Sequence, residues 1–141
     1  MPENVVALRR GDAEVLARTL YGEARGEGIS GMTAIAWVVV NRAKHVGVRF
    51  PDTISGVCKQ RAQFTCWSPG DPNAKLCAAV TEADPSFALA LYVAMAVLTG
   101  QVEDNTGGAD HYFVTNMKNP PNWRSDMKFL KRIGAHSFYK D

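Results

Sequence analysis

The sequence lacks any apolar stretch long enough to span a bilayer: its longest runs, Ala34–Val40 and Ala88–Leu98, are too short or broken by polar residues. It also lacks a recognisable leader. Met1–Arg10 reads MPENVVALRR, whose apolar run is too short for a signal core and has no cleavage pattern behind it, so a soluble protein without a secretory signal is expected. Cysteine is scarce, and Cys58, Cys66 and Cys77 cannot all pair with one another. None lies in a CxxC arrangement and no histidine cluster is nearby, which argues against a zinc site and for small buried thiols, with one bridge left open in an oxidising compartment. Charge of one sign is missing too. The net charge is +2 and the pI about 8.5, far from a nucleic-acid binder; that weak bias suits an enzyme of an anionic polymer without selecting one. Repeats, low-complexity tracts and linkers are absent, so the 141 residues read as one domain, 1–141, with ordinary globular composition at 46% hydrophobic and 21% charged.

What is present is a series of well-punctuated helices. The first is expected to start at Asp12 as a cap and to run through Val15, Leu16, Thr19, Leu20 and Glu23, where Gly22, Gly26 and Gly28 end or bend it. The spacing of three and four residues puts Glu23 on the face of Leu16 and Leu20. Ser30 is a good cap for a second helix with an apolar stripe of Ile35, Ala36, Val39, Val40 and Ala43. Pro51-Asp52-Thr53 opens a helical turn through Val57, and Asp71-Pro72 and Asp84-Pro85 each place a capping Asp before a Pro suited to the first helical position. Gly107-Gly108 marks a turn, Asp110–Val114 a strand, and Ile133–Tyr139 a partner strand. The fold class is α+β, mostly helical with a small stranded part.

Three segments carry chemistry. In Tyr21-Gly22-Glu23-Ala24-Arg25-Gly26-Glu27-Gly28, two carboxylates stand four residues apart with an Arg between them. A glutamate emerging from an apolar helix face is desolvated, stays protonated near neutral pH, and is then able to protonate a glycosidic oxygen. Glu27 is a second catalytic carboxylate or simply a partner for Arg25; on spacing alone, a glycine-rich helix end with solvated charges fits as well. The loop Gln63-Phe64-Thr65-Cys66-Trp67-Ser68-Pro69 combines aromatics with amide and hydroxyl groups, a mixture that suits carbohydrate, but equally suits a loop anchored by Phe64 and Trp67. In the third, His111, Tyr112 and Asn116 line a polar cleft or belong to a hairpin with a structural histidine, with Trp123 following in Pro120-Pro121-Asn122-Trp123.

Together these segments resemble a known family. The run LARTLYGEARGEGISGMTAIAWVVVNRAK (Leu16–Lys44), then FPDTISGV (Phe50–Val57), the QFTCW loop, GADHYF, Asn122-Trp123 and IGAHSFY (Ile133–Tyr139) resemble, in order, the SleB-like spore cortex-lytic cell-wall hydrolases. The resemblance spans about Ala13 to Lys140. It implies a lysozyme-like or lytic-transglycosylase-like domain acting on peptidoglycan between N-acetylmuramic acid and N-acetylglucosamine, with Glu23 as the essential acid. Gln63, Phe64, His111, Tyr112, Asn116 and Trp123 map near the cleft of that family. Two departures stand out: no N-terminal wall-binding repeat region is seen, and the QFTCWSPGDPN loop is more like versions from Gram-negative bacteria and their phages. The expectation is therefore a phage endolysin or stand-alone wall hydrolase, monomeric, without cofactor, held in the host cytoplasm until released to the wall.

A single carboxyl suffices for a lytic transglycosylase, which closes a 1,6-anhydro ring on the substrate's own C6 hydroxyl. A hydrolytic muramidase needs a second base, for which Glu27 is the candidate. Two readings of other classes remain beside these. One is a non-catalytic peptidoglycan-binding module stacking sugars on Trp67, Tyr112 and Trp123. The other is a zinc amidase or peptidase using His45, His111 and His136, disfavoured because these residues have no HxxxH spacing.

Overall fold

A computed structural model describes residues 6, 8–45, 49–61 and 63–141. Of the stretch Met1–Arg10, residues 1–5 and 7 lie outside the described residues. The element order is α1 (Asp12–Ala24), α2 (Gly28–Lys44), α3 (Ile54–Lys59), a 3₁₀ turn (Thr65–Trp67), α4 (Pro72–Ala79) and α5 (Pro85–Leu98). Then follow β1 (His111–Val114), a second 3₁₀ turn (Asn122–Ser125), β2 (Lys128–Ile133) and β3 (His136–Lys140). The expected mostly helical α+β fold with a small stranded part is what forms. Among the described residues, no helix is long and apolar enough to cross a membrane.

Helix α1 is the central post. Leu16, Ala17 and Leu20 are fully buried and pack with Ile35, Val38 and Val39 of α2 and with Ala90, Val93 and Ala94 of α5 in one core cluster. Truncating a leucine at such a site costs about 2–5 kcal/mol, so α1 is fixed in place far more firmly than its own helix propensity would hold it. Gly22 sits inside α1 for a steric reason. A Cβ there would stand 2.8 Å from Cys77 Sγ of α4 and 3.0 Å from Cys66 Cβ, so only glycine lets α4 and the Thr65–Trp67 turn close on the helix.

The two Asp-Pro signals act as expected: Asp71 accepts from the Asn73 amide and Asp84 from the Ser86 amide, each with Pro in the first turn. Two other caps differ from expectation. Asp12 is the first residue of α1 and not its cap; Gly11 holds that place with φ 87°, while the buried Asp12 carboxylate accepts from the Arg9 amide and the Ser55 hydroxyl. Ser30 lies inside α2, which begins two residues earlier at Gly28 because Gly26, with φ 92°, and the Glu27 amide bonded to the Ala24 carbonyl already turn the chain.

The sheet has the order β1-β3-β2, all antiparallel. Strand β3 pairs with β1 as expected, but Ile133 belongs to β2, a strand that sequence reading missed. Four of its six residues are exposed, its alternation is broken by a register shift between Phe129 and Lys131, and nothing in Lys128–Ile133 announces a half-buried strand. All three cysteines are free and buried, and burial pushes the Cys58 thiol up to about 12.

Candidate active site

The registers of α1 and β1 bring Glu23 and Tyr112 together. Pairing of Tyr112 with Phe138 and of Val114 with His136 puts these four side chains on one face of the sheet, with Phe138 fully buried against the helices. That face meets α1 where Glu23 leaves the core, and the Tyr112 hydroxyl donates to Glu23 Oε1 at 3.2 Å. Burial raises the Glu23 carboxyl above its ordinary range. The Tyr112 hydrogen bond pulls the other way, and the nearby Asp71 adds to the rise. Its position is that of a desolvated acid with one stabilising donor.

Glu23 lies in a cleft of about 990 Å³, at the upper end of the range usual for ligand pockets. Helices supply Glu23 and Arg42, the loop after α3 supplies Gln63 and Phe64, and the sheet supplies His111, Tyr112 and Phe113. Val114, Met117, Pro121, Trp123 and His136 complete the lining. Strand β1 is an edge of the sheet, which is why residues of both its faces reach the cleft. Behind it the rings are coupled: His111 lies 4.9 Å from Trp123, and Phe113 stacks on Tyr139 at 5.5 Å.

Arg42 organises the cleft floor. It is buried, donates Nε to the Asp110 carbonyl at 2.8 Å and Nη1 to Gln63 Oε1 at 3.2 Å, and lies over the Phe50 and Phe64 rings. Its neighbour Asn41 donates to both the Asp104 carboxylate and the Ala109 carbonyl. Asp104 in turn caps the turn through the Thr106 and Gly108 amides. The Asn-Arg pair at the end of α2 thus fixes the loop that launches β1, and with it Tyr112. Asp110 accepts from the Asp141 amide and touches His111 Nδ1 at 2.8 Å; burial raises its carboxyl, and those contacts outweigh it and leave it lowered.

Of the residues predicted for the site, Glu23, Gln63, Phe64, His111, Tyr112 and Trp123 are brought together. Asn116 is not: it is exposed and outside the lining, to which Met117 contributes one position later. Glu27 does not line the cleft either. Its carboxylate lies 3.1 Å from His136 Nδ1, and the expected pairing with Arg25 does not form, because Arg25 donates to the Tyr21 carbonyl and Asn73 and covers the Tyr21 ring. Trp67 is an anchor, its indole N–H donating to Thr19 Oγ1 at 2.8 Å, and it does not line the cleft. His45, His111 and His136 do not converge: Phe50 stands between the first two, and His136 packs edge-on to Tyr112. Sequence reading missed Arg42 and His136 as cleft residues. A polar Asn-Arg pair closing an otherwise apolar helix was the available signal for the first, and a histidine in an apolar strand for the second.

The comparisons agree with this geometry. The family described as Cell Wall Hydrolase matches residues 26–139. The chain is 32% identical over 133 residues to a spore cortex-lytic enzyme of Oceanobacillus iheyensis, covering 92% of this chain and 41% of that protein. It is 31% identical to the spore cortex-lytic enzyme of Bacillus subtilis, with coverage of 90% and 37%. The chain thus spans less than half the length of these curated relatives. Among solved structures, the catalytic domain of the germination-specific lytic transglycosylase SleB from Bacillus anthracis superposes with a TM-score of 0.73 at 28% identity, covering 99% of this chain and all of that one. The catalytic domain of the Bacillus cereus SleB protein gives 0.75 at 29% identity, with coverage of 99% and 98%. On this helical frame the half-buried Glu23 opens on an aromatic cleft, and the chain belongs to the cell wall hydrolase family.

Proposed function

We propose that the chain cleaves peptidoglycan glycan strands between N-acetylmuramic acid and N-acetylglucosamine as a lytic transglycosylase, with Glu23 as the general acid. The observation that carries the reading is the placement of Glu23: its carboxyl raised by burial, bonded to Tyr112, and open to the cleft. As the glycosidic bond breaks, Glu23 protonates the leaving oxygen and an oxocarbenium-like centre develops on the muramic carbon. The substrate's C6 hydroxyl, held beside that centre, attacks with an effective concentration on the order of 10⁵ M or more, which favours ring closure over attack by water. Similarity to a structure named as a lytic transglycosylase supports the same outcome.

The hydrolytic alternative asked Glu27 to activate water. The carboxylate of Glu27 is turned to His136 and outside the cleft lining, which disfavours direct action on a water there. Mass spectrometry of fragments released from purified sacculi tests the reading. Muropeptides ending in 1,6-anhydromuramic acid, resistant to borohydride and unlabelled in heavy-oxygen water, are expected. Reducible, labelled muramic ends as the main product would overturn it in favour of hydrolysis.

A further inference from the structure

His136 is a buried histidine with one nitrogen committed and the other not. Nδ1 lies 3.1 Å from Glu27 Oε1, and the carboxylate beside it favours a hydrogen on Nδ1, the tautomer that leaves Nε2 with its lone pair. Glu27 stands behind the ring while the ring itself lines the cleft, so Nε2 is the nitrogen left for whatever the cleft holds. The placement of Glu27 is closely constrained. A Cβ on Gly31 would meet Glu27 Cβ at 2.6 Å, so a glycine there leaves the room this side chain occupies. The ring is further held edge-on to Tyr112, 5.3 Å between centroids, whose hydroxyl bonds Glu23.

We propose that His136, oriented by Glu27, is the base of the cleft: its Nε2 contacts the attacking hydroxyl of the glycan and takes its proton, while Glu23 supplies the proton for the leaving oxygen. This rests on the glycan-cleaving reading above and deepens it. The glycosidic C–O bond breaks with its electron pair on the bridging oxygen, which takes the Glu23 proton. The attacking oxygen forms the new bond to the anomeric carbon, its O–H pair stays on oxygen, and the proton passes to Nε2. The imidazolium so formed faces the Glu27 carboxylate. Water in the open cleft then carries that proton back to Glu23, restoring both groups. Burial lowers the His136 pKa below the usual histidine value, partly offset by Glu27, so the ring is neutral and basic at neutral pH. The charged and titratable groups facing it are Glu27 from the α1–α2 turn, Tyr112 from β1, and Glu23, Arg42 and His111 around the cleft.

Activity on purified sacculi, its pH profile and thermal midpoints test the proposal in the full chain. His136→Ala is expected to lose on the order of 10²-fold in kcat, to lose the acidic limb of the profile, and to regain activity with added imidazole, because the vacated space opens on the cleft. Glu27→Gln is expected to keep the base but lose its orienting partner. Activity then falls about 10-fold, and the acidic limb moves to lower pH, since the carboxylate is what holds the His136 pKa up. Retention of more than about a third of the activity in His136→Ala would overturn the proposal, given what a positioned base contributes. So would a loss that imidazole does not relieve together with a Glu27→Gln profile identical to the parent's. Glu23→Gln serves as the separate control: if it stays active, the glycan-cleaving reading itself fails, whatever His136 does.

Discussion

The helical wall of the cleft presents its chemistry from within the core, whereas the stranded wall presents it from an edge of a three-stranded sheet. On the helical side, Glu23 and Arg42 stand on helices whose preceding turns hold the fully buried Leu16, Leu20, Val38 and Val39. On the stranded side, His111, Tyr112, Phe113 and Trp123 come from β1 and the turn after it, rings packed mostly on one another. The difference sets how each wall acts. Burial dominates at Glu23 and raises it; burial dominates at His136 and lowers it. Burial thus favours the neutral form of a carboxyl on one wall and of an imidazole on the other, both lining one cleft. The helical wall supplies the rigidly held carboxyl, and the stranded wall supplies most of the aromatic surface.

The largest break in this comparison is Glu23→Gln. The amide keeps size and polarity but has no proton to give, so activity on sacculi should fall by at least ~10²-fold. The fold should not suffer. A carboxyl whose pKa is raised in the folded state costs stability at pH values above that pKa, so its removal leaves the thermal midpoint unchanged or slightly higher at neutral pH. A clear drop in that midpoint alongside lost activity would move Glu23 from catalysis to folding.

Next is Arg42→Lys, which tests whether the helical wall holds the stranded one. Lysine keeps a charge but not the planar fork that reaches the Asp110 carbonyl and Gln63 together, and its ammonium is harder to desolvate between two rings. Stability should fall by about 2–4 kcal/mol, within the range for breaking a buried hydrogen-bond network. Activity should fall further than the unfolded fraction explains, because β1 and Tyr112 lose their anchor. Chemical denaturation and steady-state rates on the same sample separate the two effects.

Tyr112→Phe tests the hydrogen bond by which the stranded wall reaches Glu23, and its effect should be smaller. That bond lowers the Glu23 pKa against the larger influence of burial, so its loss raises the pKa further. The acid form then persists to higher pH, and the basic limb of the rate profile moves upward. The rate at its maximum should fall by several-fold, on the order of the ~1 kcal/mol that one hydrogen bond contributes. A basic limb that stays in place would mean that the limb belongs to another group.

How much of this was legible in the sequence follows the same division. The helices were readable because their signals are local: Asp-Pro caps at 71–72 and 84–85, an apolar stripe on α2, glycines after Glu23. The place of Glu23 in the cleft was readable from an apolar face ending in a glutamate. The stranded wall was not, because its form is decided by partners distant in sequence. Strand β2 is exposed along most of its length and bulged, and it exists because β3 offers it an edge. His136 reads as a scattered histidine until the sheet sets it beside Glu27, more than a hundred residues away. Arg42 reads as a charge at a helix end until Asp110 and Gln63 fold over it.

Asn116 gives the smallest expected effect and the sharpest check on where the stranded wall ends. The resemblance mapped it to the cleft, and its amide is of the kind that binds sugar hydroxyls. After Val114, however, the chain turns: the Met117 amide bonds to the Val114 carbonyl, and the Thr115 amide to the Ala135 carbonyl. This turn leaves Asn116 exposed and brings Met117 to the lining. An exposed side chain with no partner across the cleft contributes within about 0.5 kcal/mol when replaced, so Asn116→Ala should keep KM and kcat within about twofold of the parent. Met117→Ala removes apolar surface from the cleft rim and should raise KM more than it lowers kcat, because a contact made equally with substrate and transition state changes binding alone. If Asn116→Ala raised KM and Met117→Ala did not, the turn would have to place its residues the other way round when glycan is bound.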